Sequence, residues 1–241
     1  MRKWENMTNL NIQNLINEAI TKQSAYNTGN RDNRLFNISD AGGCYRARIY
    51  KRLGIEPTRT IEIEGLRKMT AGNAGHEKLQ ALLDSKLFLS ESSITDEHRL
   101  GHPDGVIKNG DNKILVEFKT IEKFQMGYIR KQGAKEPHIL QMFTYWSLLR
   151  RDLIDLDHAV LSYVKREDFE ALDFHFIWSD DIQAKVLLEW EPLIHYWIAK
   201  TLPPCTCIDM YNGAGPRYCN YLNNVENLTC CDEKLFTIKS T

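Results

Sequence analysis

Long apolar runs are missing from this 241-residue chain: none approaches the roughly 20 residues needed to cross a bilayer, which excludes a membrane-spanning helix. An excess of one charge is missing too. Thirty-one basic side chains stand against 32 acidic ones, a net charge of −1, so bulk charge neither demands nor forbids a nucleic-acid partner. Cysteine is scarce. Six are too few for a disulfide scaffold of this size, and in a reducing compartment they are expected to be thiols or metal ligands. Repeats and low-complexity tracts are absent, and a 42% hydrophobic content argues against disorder. Met-Arg-Lys-Trp-Glu-Asn leads into a polar amphipathic stretch rather than the apolar core of a secretion signal, so a cytoplasmic protein without membrane contact is expected.

The length suits one sizeable domain with an appendage, or two small domains. Leu10, Ile12, Leu15, Ile16, Ala19 and Ile20 recur at helical spacing and predict a helix over 9–23. Ser39-Asp40 caps an expected helix to Leu53, closed by Gly54 and Pro57, and another spans 61–84 with an expected break near Gly72 and Gly75. Short apolar stretches at Leu87–Leu89, Val106–Ile107 and Ile114–Val116 read as strands. A helix over 137–151, strands over 158–164 and 171–178, and a helix over 181–200 follow, and Pro203-Pro204 ends that helix. The last 38 residues hold five of the six cysteines. The order predicts a mixed α/β core with a small metal-bound or irregular appendage. Charge is uneven: residues 44–70 carry seven basic and three acidic side chains, and 152–200 carry eleven acidic and four basic ones. A solvated helix face is the plain account of such runs.

The chemistry concentrates in Asp104-Gly-Val-Ile-Lys-Asn109-Gly-Asp-Asn112-Lys-Ile-Leu-Val-Glu117-Phe-Lys119. Asn109-Gly-Asp-Asn112 is a turn signal between two apolar segments. With those four residues as the loop, Lys108 faces Lys113 and Asp104 stands opposite Glu117, side chains on one face about 5 Å apart. Lys119, two residues on, shares that face. A two-residue Asn-Gly turn would instead pair Asp104 with Leu115 and leave the carboxylates as diagonal neighbours on the same face. Adjacent carboxylates repel, and a hard cation such as Mg²⁺ neutralises them with few protein ligands. The Phe118 carbonyl is available to complete the set, and a lysine beside such an ion can orient an attacking water. A surface hairpin with a Glu–Lys pair is the plain alternative.

Other features stand beside the hairpin. His76 lies in Gly72-Asn-Ala-Gly75-His76 within a helical stretch, where glycines permit close backbone approach and imidazole can ligate a divalent metal. Gln141 and Tyr145, at i and i+4, share a helix face able to offer an amide and a phenol to a phosphate or base. Cys44 stands alone, far from Cys205, Cys207, Cys219, Cys230 and Cys231. Four thiolates can hold an iron–sulfur cluster or zinc, and either would tie the tail to the N-terminal part.

Cys44, Gly72…His76, Asp104, Glu117-Phe-Lys119, Gln141…Tyr145 and the terminal cysteines occur in an order that resembles the RecB-like nucleases of the PD-(D/E)XK superfamily. The likeness extends from about 38 to 231 and is to their iron–sulfur branch, the CRISPR-associated adaptation exonucleases and their phage-encoded relatives. Ser39-Asp-Ala-Gly-Gly-Cys44-Tyr-Arg46 resembles the opening segment of that family. The resemblance implies a restriction-endonuclease-like core, a mixed central sheet flanked by helices, with a cysteine-rich cluster-binding appendage. It divides the chain into an N-terminal helix and loop (1–37), a nuclease core (38–200) and a C-terminal segment packing with Cys44 (201–241). It implies that His76, Asp104, Glu117 and the Phe118 carbonyl bind Mg²⁺ or Mn²⁺, with Lys119 acting on the water. Gln141, Tyr145 and Arg46 would contact DNA, and Cys44, Cys205, Cys219 and Cys230 would hold a [4Fe–4S] cluster, with zinc as the alternative. The expected activity is exonucleolytic hydrolysis of single-stranded DNA. Basic residues 46–68 with Lys123, Arg130, Lys131 and Lys135 are expected to line a groove for the DNA backbone.

The tail departs from the compact Cys-X2-Cys-X5-Cys run of that family: eleven residues separate Cys207 from Cys219, and ten more precede Cys230. Cys205 against Cys207, Cys230 against Cys231, and iron–sulfur against zinc therefore stay open. A non-catalytic nucleic-acid-binding or assembly protein on the same fold is the rival reading, while an electron-transfer protein would have no use for the hairpin.

Overall fold

The computed structural model describes residues 12–29, 34–90, 92–151, 156, 158–204, 221–224 and 229–230. A five-stranded mixed sheet forms the centre, in the order β2 (Leu87–Ser90), β5 (Gly105–Asn109), β6 (Asn112–Ile121), β7 (His158–Lys165), β8 (Ala171–Ile177). β5 and β6 form the antiparallel hairpin. Lys108 pairs with Lys113 and Asn109 with Asn112, with Gly110 at φ +62° in the turn. That is the register that sets Asp104 opposite Glu117, so the two-residue Asn-Gly alternative is not the one adopted. β6 and β7 run parallel, Glu117 beside Leu161 and Lys119 beside Tyr163. A parallel pair needs a long crossover, here supplied by α4 (Lys123–Gln132) and α5 (Glu136–Leu149). A smaller mixed sheet, β1 (Phe36–Asn37), β4 (Arg99–Gly101) and β3 (Ile94–Thr95), lies beside it, and β9 (Leu222–Asn224) pairs with β10 (Thr229–Cys230).

Side-chain alternation on β6 divides the molecule. Even-numbered Val116 and Phe118 join Leu79 of α3 (Ile63–Leu83) and Val164 in a small core on one face. Odd-numbered Leu115 and Ile121 join the main core on the other face, with Met142, Tyr145 and Trp146 of α5, Leu161, and Trp190 of α6 (Asp180–Ile198). Glu117 and Lys119 belong to this second row, which carries them toward α5.

Several expectations need correction. α1 (Ile12–Gly29) runs past the expected end at 23, residues 9–11 of the expected helix lie outside the described residues, and Ile12, Leu15 and Ile16 of its apolar stripe are exposed. Ser39-Asp40 forms a 3₁₀ turn (Ile38–Asp40), and helix α2 begins only at Tyr45, running to Arg52 with Cys44 as N-cap. α3 runs unbroken through Gly72 and Gly75. A Cβ at Gly75 would stand 3.3 Å from Thr120 Cγ2, so these glycines seat the helix against β6 instead of interrupting it. The expected basic groove along 46–68 is largely consumed by internal partners. Arg48 is buried against Glu189 and the Trp190 ring, Arg52 stacks on Trp197 and Phe36, Lys51 pairs with Asp40, and Arg67 bonds Asn17. Long basic side chains bury their stems and stack on aromatic faces when a helix packs on an aromatic partner. No helix among the described residues is long and apolar enough to cross a membrane.

Candidate active site

A cleft of about 400 Å³ opens where α3 crosses the end of β6, its lining completed by Gln125 of α4 and by Lys135, His138 and Gln141 at the start of α5. Asp104 and Glu117 sit at its floor, only 6% and 1% exposed. Asp104 Oδ2 accepts a 2.6 Å bond from the Phe118 amide, and its Oδ1 lies 2.9 Å from His76 Nε2. The hairpin register thus places one carboxylate, and a backbone N–H aims it. Glu117 Oε1 accepts from Lys119 Nζ at 2.8 Å, whereas Glu117 Oε2 is buried with no hydrogen-bond partner among the described residues.

An unpaired oxygen of a buried carboxylate is costly unless something positive meets it. Burial, and then the Asp104 charge, push the Glu117 carboxyl up to about 7, against the lowering influence of Lys119. Lys119 Nζ is fixed a second time by Gln141 Oε1 at 2.8 Å, and Gln141 Nε2 donates to Tyr145 OH at 3.2 Å. The relay Tyr145–Gln141–Lys119–Glu117 therefore crosses from helix to strand. Burial, followed by the charge on Glu117, pushes the Tyr145 phenol well above its ordinary value, so it stays neutral. Its ring fits because Gly101 carries no side chain: a Cβ there would stand 2.5 Å from Tyr145 Cε1.

The structure brings His76, Asp104, Glu117, Phe118, Lys119 and Gln141 to one cleft. Two expected DNA contacts lie elsewhere. Tyr145 is 2% exposed behind Gln141, where it holds the amide in place. Arg46 donates through Nε to the Pro203 carbonyl at 2.7 Å, which ties the chain after α6 to α2. Cys44 is buried, with no disulfide partner among the described residues, and Cys205, Cys207, Cys219, Cys231 and the side chain of Cys230 lie outside those residues.

Sequence reasoning missed His138 and Thr120. His138 Nδ1 lies 2.9 Å from Tyr163 OH, and burial, with the charges of Lys119 and Lys135, pushes the imidazole down to about 3, so it is a neutral wall of the cleft. Thr120 Oγ1 donates to the Gly72 carbonyl at 3.0 Å and locks α3 to the strand. The parity of β6 was the signal for Thr120. His138 had none, because its partner Tyr163 belongs to the next strand.

Among the described residues no three His, Cys, Asp or Glu side chains form a cage for a metal by themselves. The donors present are two carboxylates, one with an unpartnered oxygen, and a backbone carbonyl between Glu117 and Lys119. Such an oxygen-rich, incomplete set fits Mg²⁺ or Mn²⁺, which keep several waters, better than a metal needing a full protein cage.

No family model matches this chain. No curated protein matches it by sequence. Among solved structures, the crystal structure of SSO0001 is similar over 91% of this chain and 100% of that one, with a TM-score of 0.55 and 18% identity. The alkaline exonuclease LHK-Exo from Laribacter hongkongensis is similar over 70% of this chain and 90% of its own, at a TM-score of 0.49 and 14% identity. LHK-Exo in complex with dAMP gives a TM-score of 0.44 at 16% identity, over 65% and 78% of the two chains. The first similarity shows a shared fold.

Proposed function

We propose that this chain is a divalent-metal-dependent DNA nuclease of the PD-(D/E)XK kind, acting as an exonuclease on single-stranded DNA. The observation that carries the reading is the buried, unpartnered Glu117 Oε2 beside Asp104, in a cleft that also holds the Lys119 ammonium. Glu117, Asp104 and the Phe118 carbonyl would hold Mg²⁺ or Mn²⁺, with His76 either as a further ligand or orienting Asp104. The bound ion would supply charge neutralisation at a phosphoryl oxygen and a water of lowered pKa. Lys119, held by Glu117 Oε1 and Gln141 Oε1, has its ammonium in the cleft, where it can fix a water or a non-bridging phosphate oxygen and stabilise the charge that develops on it. Gln141 and Tyr145 keep that ammonium from swinging away.

Cys44 with Cys205, Cys219 and Cys230 would hold a [4Fe–4S] cluster or zinc. Support comes from the two ties on either side of the intervening segment: Arg46 to the Pro203 carbonyl, and the Tyr50 ring 5.4 Å from Tyr221, both on the helix that Cys44 caps. Anaerobically purified protein should absorb near 400 nm if the group is iron–sulfur, and Cys44→Ser should remove the band.

The test of the main reading is a divalent-metal titration with labelled single-stranded DNA. Release of short products with Mg²⁺ or Mn²⁺, reversed by EDTA, is expected. Binding without cleavage at every metal concentration would favour the non-catalytic scaffold instead.

A further inference from the structure

We infer that the exposed face of α4 is a stacking platform for the bases of a single-stranded polynucleotide whose phosphate lies in the adjoining cleft. The inference rests on the nuclease reading and deepens it, because it names what would select single strands. Phe124 is 76% exposed and Tyr128 60% exposed, and at i and i+4 they share one side of the helix. Met126 and Ile129, both buried, anchor the opposite side, so the two exposed rings are not what docks α4 on the core. Gly127 lies between them, and a Cβ there would meet nothing within 4 Å. A mid-helix glycine weakens a helix relative to alanine, and here no packing explains it. What it leaves is open space beside the two rings.

The charge of the helix suits a polyanion. Residues 123–132 hold Lys123, Arg130 and Lys131 and no acidic side chain. Arg130 turns to Glu170, while Lys123 and Lys131 stay exposed. A second copy docked face to face would bring the lysines of both copies together, which disfavours that occupant. The platform is continuous with the cleft: Gln125, adjacent to Phe124, lines it, and half-exposed Met69 lines it from α3. Aromatic rings stack on any base irrespective of sequence, whereas a duplex keeps its base faces buried in its own stack.

The experiment measures binding to a fluorescently labelled single-stranded oligonucleotide in EDTA by anisotropy, using the full chain. Phe124→Ala/Tyr128→Ala should weaken binding about tenfold or more. Wild-type protein should bind an abasic oligonucleotide of equal length as weakly as that variant binds the normal one. Phe124→Trp should keep wild-type affinity and show quenched indole fluorescence on binding, which guards against a folding artefact of the alanine pair. Equal affinity of the wild-type and alanine proteins, or equal affinity for normal and abasic strands, would overturn the inference. So would a dimer lost in the alanine variant with DNA affinity unchanged, which would assign the face to a second copy. Base-dependent binding without cleavage under any divalent metal would leave the platform standing and remove the nuclease reading, while no binding at all by wild-type protein would remove both.

Discussion

Two clusters of buried charge can be compared in this chain, one under α2 and one at the end of the hairpin. Under α2, Arg48 pairs with Glu189 at 2.5 Å, Glu189 also accepts from the Gly42 amide at 2.9 Å, and the guanidinium lies 4.1 Å from the Trp190 ring centroid. One cation and one anion balance and aromatic packing encloses them, although Arg48 Nε and Nη2, like Glu117 Oε2, have no hydrogen-bond partner among the described residues. At the hairpin, two carboxylates share one ammonium and a histidine contact, and one carboxylate oxygen in the cleft has no partner among the described residues. Burial of charge alone does not mark a functional site, since ion pairs also serve structure. What separates the two clusters is the surplus of one sign facing a cavity.

The largest expected effect tests that distinction at the hairpin. Asp104→Ala or Lys119→Ala should lower kcat/KM for single-stranded DNA by about a thousandfold or more, with the circular dichroism spectrum unchanged. Full activity in both variants would place the chemistry elsewhere. The α2 cluster should respond in the opposite way. Glu189→Ala strands a buried guanidinium and the Gly42 amide, and should cost about 3–5 kcal/mol in urea denaturation while cleavage per folded molecule persists.

A smaller effect joins stability to pH. With its carboxyl raised from 4.5 to about 7, folded Glu117 holds a proton that the unfolded chain has released. Stability of the metal-free protein therefore declines as pH rises from about 4.5 to 7 and stays reduced above it. Glu117→Gln should remove that decline and stabilise the metal-free protein at pH 8 by about 1–2 kcal/mol, less than the full shift because the acceptor facing Lys119 loses its negative charge. The same substitution should abolish cleavage. An unchanged melting temperature at pH 8 would mean that Glu117 is not strained by its burial. The smallest effect belongs to Tyr145→Phe, which deletes one hydrogen bond to Gln141 and should lower kcat by about tenfold or less with KM unchanged. A rise in KM alone would instead put the phenol in contact with substrate.

How much was legible depended on how local the determinants were. The hairpin register followed from Asn109-Gly-Asp-Asn112 and the apolar segments beside it, so the Asp104, Glu117 and Lys119 convergence was readable from about fifteen consecutive residues. α4 was not, because only Met126 and Ile129 are buried in it and Gly127 interrupts its pattern, although Glu122 and Gln125 form a capping box that marks its start. The fate of the basic run was hidden for another reason. Arg48 and Arg52 look like a solvated helix face until α6, some 140 residues later, presents Glu189, Trp190 and Trp197. Tyr145 was grouped correctly with Gln141, yet its burial depended on Gly101 from a strand in another sheet.

The central claim is that Glu117 and Asp104 grip one divalent cation beside Lys119. Anomalous diffraction from crystals soaked in Mn²⁺ tests it most directly. A manganese peak in the cleft, within bonding distance of Glu117 Oε2 and an Asp104 oxygen, is the predicted result. Density free of any such peak there, in crystals of protein that degrades DNA with Mn²⁺ in solution, would contradict it.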